Sequence, residues 1–198
     1  MLLEDVRDRD SLQAWFENLP QAAAAQQLRA RSIRCQLASR SALRLIPIWW
    51  GDILSHKRDV TPTPFLRCFL ISAVTAKYPT AGIRAISIIS ATKVVNADAA
   101  AFITHTASYT DVYTASNDAA VAASAAYLID DGDYWALLQS ELAALAQGDD
   151  LFSTSLWPAD MPESAALWPD LRPKISTNPD GENWGWWVNW CQAMYDGT

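Results

Sequence analysis

Apolar positions in this chain recur mostly at intervals of three and four residues, broken by proline, glycine and short polar runs, a rhythm that predicts helices. Asp10 or Ser11 can cap a short first helix that runs through Asn18. Pro20 stands where a first-turn proline opens a second, longer helix over about 20–46. That segment is rich in Ala, Gln, Leu and Arg, all good helix formers. Gln27, Arg31, Arg34 and Ser41 fall on one side of it and Leu28, Cys35, Leu43 and Ile46 on another, so it is expected to be amphipathic. Pro47 should end or kink it, and Ile48, Trp49 and Trp50 follow as an apolar corner.

Thr63 and Pro64 open a further helix that should stop near Tyr78, because Pro79 disfavours helical geometry in the residue before it. Over 81–95 the β-branched content keeps a strand open as an alternative, while Ile83, Ile86 and Ile89 at helical spacing favour helix. From Ala97 to Ala126, 12 of 30 residues are alanine, which predicts a central helix that neighbours approach closely. An acidic turn around Gly132 precedes a helix over about 133–147, with Gly148 suited to a left-handed cap. Five prolines after Gly148 predict an irregular wrap with one short helix beginning at Pro162. In the last helix, Trp184, Trp187, Val188, Cys191 and Tyr195 form one stripe, and Trp186 with Trp190 form another.

Together these segments predict an all-α, compact bundle of about six to seven helices, closed by a Pro/Trp-rich wrap and a Trp-rich helix. Residues 1–148 would form the core, and 149–198 the wrap and terminal helix packed on the same domain. Half the residues are apolar and 19% are charged, a globular balance. The charged start carries no secretory signal, and Arg67, Lys77 and Arg84 interrupt the most apolar stretch, so a cytoplasmic protein without a membrane span is expected.

Charge changes the picture more than composition does. Residues 1–97 hold 13 Lys and Arg against 7 Asp and Glu, whereas residues 98–198 hold 2 against 15. A basic surface for nucleic acid would use Arg29, Arg31, Arg34, Arg40, Arg44, Lys57, Arg58 and Arg67. The competing expectation is that the two halves pack together and partly neutralise each other, which the overall charge of −7 favours.

Catalytic patterns are thin. Phosphate-loop, dinucleotide, nucleophile-elbow and zincin motifs are all missing, so the sequence points away from an enzyme and implies no cofactor. Cys35, Cys68 and Cys191 lack zinc-ligand spacing and read as reduced thiols, and the acidic turn at Asp130, Asp131 and Asp133 lacks the ligand spacing of a calcium loop. No metal is expected. His56 reads as a solvated loop residue, while His105, one turn from Tyr109, reads as packed.

The ending ENWGWWVNWCQAMYDG, the alanine-rich middle and the stretch QLASRSALRLIPIWW resemble a group of uncharacterised bacterial proteins. These share an early AARAALR-L-P pattern and a late W-x-x-W-I-x-W-Y segment. The resemblance implies no activity; it implies that this chain is a short member or an excised domain, since longer members continue beyond the tryptophan helix. Cys191 stands where those proteins tend to carry Tyr after the final Trp.

Ten tryptophans are the sharpest anomaly, more than a helical core of this size is expected to absorb. Two readings follow. One is a non-enzymatic interaction or regulatory module that binds a protein partner or a second copy of itself through Trp186, Trp190, Trp168 and Trp157. The other is a small-molecule or nucleic-acid binding or processing domain, with His105, Tyr109, Arg31 and Arg34 near a pocket. Tryptophans that only fasten the wrap to the helices are the structural alternative to both.

Overall fold

The computed structural model describes residues 2–47, 50–51, 70, 73–74, 77, 133–157, 163–176 and 184–198. Among these residues the chain is helical and contains no strand. It forms α1 (Arg9–Glu17), α2 (Ala24–Arg44), α3 (Asp133–Gln147), α4 (Glu163–Ser176) and α5 (Trp184–Asp196), with 3₁₀ turns at Leu3–Asp5 and Leu151–Ser153. Leu70, Ala73, Val74 and Lys77 are also helical. The rest of the helix expected over 63–78, the segment 81–95 and the alanine-rich 97–126 lie outside the described residues.

Local chemistry sets the helix ends. Asp8, rather than Asp10 or Ser11, caps α1: its carboxylate accepts from Ser11 N at 2.8 Å, and Ser11 Oγ accepts from Asp8 N at 3.1 Å. α2 begins at Ala24, not at Pro20. Gln26 Oε1 accepts from Ala23 N at 3.1 Å, so the start is closed by a glutamine and the proline lies in the approach. At the other end Leu45 caps α2, and Pro47, which has no N–H, leaves the carbonyl of Leu43 without its usual helical donor. The buried Tyr195 hydroxyl donates to that carbonyl at 3.2 Å, tying α5 to the place where α2 stops. α3 ends as expected. Gly148 sits at φ +104°, its N–H donates to Leu145 O, and Asp149 N donates to Ala144 O, a paired closure of the last turn.

α4 is longer than the short helix expected of the wrap. Trp168, Leu171 and Ile175 turn inward at helical spacing, and the two internal prolines, Pro169 and Pro173, are exposed. With both rings on the solvent side, the helix keeps its apolar stripe against α5.

Two large apolar clusters result, beside a small one of Cys35, Ala73 and Phe152. In the first, Leu12 and Phe16 of α1 meet Ile33 and Leu37 of α2 and Tyr134, Leu138 and Leu142 of α3. In the second, Ala42 and Leu43 of α2 join Trp50, Leu156, Trp157, Trp168 of α4 and the inner stripe of α5. α2 runs through both and is the central element of the described structure. The expected amphipathicity does not hold there: from Ala30 to Arg44 every residue except Ser32 is buried, while Leu28 is 55% exposed.

Candidate functional site

The polar side of α2 is internal because its groups have partners. Arg40 and Arg44 lie one turn apart and converge on Glu141 of α3, itself buried. Arg40 Nε donates to Glu141 Oε1 at 2.6 Å, while Arg44 donates to Oε2 at 3.0 Å and to Oε1 at 2.5 Å. One carboxylate cannot satisfy two guanidiniums. Their remaining N–H groups donate to the carbonyls of Leu151, Thr154, Ser155 and Leu156, and the Trp157 ring lies 5.2 Å from the Arg44 guanidinium carbon. The segment 151–156 is thus pinned to α2 by arginine side chains.

Electrostatics follow this geometry. Burial alone would push the Glu141 carboxyl up, but the attraction and hydrogen bonds of Arg44 and Arg40 outweigh it and hold the carboxyl below its ordinary value. Burial pushes Tyr134 up to about 12, against the pull of Arg44, and its hydroxyl stays protonated, 2.8 Å from Ser41 Oγ. Arg40, Arg44 and Glu141 are all buried, so the three side chains form an internal clamp between α2 and α3.

α5 presents a different surface. Its inner stripe of Trp184, Trp187, Val188, Cys191 and Tyr195 is buried, as the spacing predicts. Burial pushes the Cys191 thiol well up, so it stays protonated and packs as an apolar group. On the opposite side Trp186 is 48% exposed, with its ring 4.7 Å from that of Trp187 in an edge contact. Trp190, half-buried on the same side, forms one wall of an open cleft of about 230 Å³, together with Leu70, Val74, Phe152 and Met194.

The four tryptophans considered for binding therefore separate. Trp186 and Trp190 share the outer side of α5, whereas Trp157 and Trp168 are buried in the second cluster, Trp157 against Arg44 and Trp168 donating to Gln192 Oε1 at 2.9 Å. Of the alternative set, Arg31 and Arg34 are buried, and Arg34 donates to Phe16 O at 2.7 Å, which fastens α2 to the end of α1. His105 and Tyr109 lie outside the described residues, as do Lys57, Arg58, Arg67 and Cys68. Arg29, at the exposed start of α2, donates to Ala146 O. The described residues contain no cluster of metal-ligating side chains, and no described helix is long and apolar enough to cross a membrane.

The Arg40–Glu141–Arg44 clamp was missed as a unit, although its signal lies in the sequence. Glu141 is the only charged residue in the apolar run from Tyr134 to Gly148, and an isolated charge at a core position asks for a partner. Comparison with known proteins finds no matching family model, no matching curated protein and no matching solved structure.

Proposed function

We propose that this protein is a non-enzymatic helical interaction module whose outer α5 side, centred on Trp186 and Trp190, binds another protein. The observation that carries this reading is the position of Trp186. It is the only tryptophan among the described residues that is exposed, and it stands on a helix whose opposite side is anchored in the core. A rigidly presented aromatic costs little entropy on binding, and aromatic anchors beside an apolar cleft are the usual centre of an interface. The reading extends to a bundle of six to seven helices acting in the cytoplasm, with a protein partner or a second copy as the bound species.

Binding through the basic half has less to draw on. Arg31, Arg34, Arg40 and Arg44 are buried, so four of the eight cations named for that surface cannot reach a phosphate without unfolding α2. The test is a Trp186→Ala/Trp190→Ala double variant, compared with wild type in melting temperature, sedimentation equilibrium and affinity for proteins recovered by capture from lysate. The proposal expects a melting temperature within a few degrees of wild type and at least a tenfold loss of affinity for the recovered partner or for self-association. Unchanged affinity, or unfolding of the double variant, overturns it.

A further inference from the structure

We draw no further inference here: the strongest candidate, the open apolar cleft between Trp190 and Met194 of α5 and the helical residues Leu70 and Val74, belongs to the surface already proposed for binding, and nothing in the structure shows what covers it.

Discussion

α2 and α5 are both drawn into the core, but by opposite chemistry. From Ala30 onward α2 is buried on nearly all sides and carries Arg31, Arg34, Arg40 and Arg44 with it, each a group that is costly to remove from water. α5 is buried on one side only, by aromatic and aliphatic surface, and leaves Trp186 in solvent. Specificity lies with the buried polar groups. An aromatic stripe gains by burial against almost any apolar neighbour, whereas a buried guanidinium is tolerated only where particular carboxylate and carbonyl oxygens are already in place. α2 therefore fixes which parts of the chain meet, and α5 adds stability once they have met.

Removing the carboxylate should produce the largest effect. Glu141→Gln leaves two buried guanidiniums without a counter-charge, and we expect a loss of about 3–5 kcal/mol in urea unfolding. A loss below about 1 kcal/mol would break the contrast between the helices. The triple change Arg40→Met, Arg44→Met and Glu141→Leu sharpens it. Replacing a buried ionic cluster with apolar groups is often neutral, but here the carbonyls of Thr154, Ser155 and Leu156 would lose their arginine donors, so the triple variant should stay less stable than wild type. The sign with pH is set by the lowered pKa of Glu141. Its contribution is fully present above the ordinary value of 4.5 and is lost as pH falls through the lower folded value. Urea midpoints measured on the acid side should fall more steeply for wild type than for Glu141→Gln.

On the aromatic side, Trp187→Ala should cost about 3 kcal/mol, near the lower end for large truncations because Trp187 lies at the edge of the cluster with 9% of its surface exposed. Calorimetry that shows no drop in melting temperature would remove α5 from the core. Two glycines give a smaller, paired test of how α5 closes on the pinned segment. A Cβ on Gly197 would stand 2.4 Å from the Thr154 carbonyl carbon at φ +74°, whereas at Gly148 the nearest atom beyond the turn is 3.9 Å away. Gly197→Ala should cost about 2–3 kcal/mol and Gly148→Ala about 1 kcal/mol, the conformational part alone. Equal losses would mean that the end of α5 does not bear on residues 154–155. The smallest effect belongs to Trp186→Ala, expected within about 0.5 kcal/mol of wild type by urea unfolding.

Much of this contrast was legible in the sequence, and the illegible part has a physical cause. The inner stripe of α5 and the glycine closure of α3 depend on local spacing and backbone freedom, which the sequence displays directly. The burial of α2 depends on partners outside the helix: Phe16, 18 positions from Arg34, and Tyr134 and Glu141, about a hundred positions from Ser41 and Arg40. Polar groups at Arg31, Arg34 and Ser41 mimic a solvent-facing stripe until Phe16 O, Tyr134 and their neighbours are known. For α4, the five prolines after Gly148 point to irregular chain, yet prolines on the exposed side are compatible with a continued helix. Trp157 and Trp168 looked like candidate contact residues because composition counts tryptophans without showing which sit over a guanidinium or beside a glutamine. Of the surface proposed for binding, the Trp186–Trp190 pairing follows from helical period, while the cleft wall from Leu70 and Val74 needed the tertiary structure.

The clamp also has a consequence in time. Arg44 and Glu141 are 97 residues apart, and a ribosome adding roughly 5–20 residues per second takes about 5–20 s to make the second after the first. Throughout that interval the guanidiniums of α2 have no carboxylate to enter the core with, and the carbonyls of 151–156 that complete their coordination do not yet exist. Until then the ionic clamp that buries this end of α2 cannot form. The clamp can close only after both Glu141 and the segment 151–156 have been made.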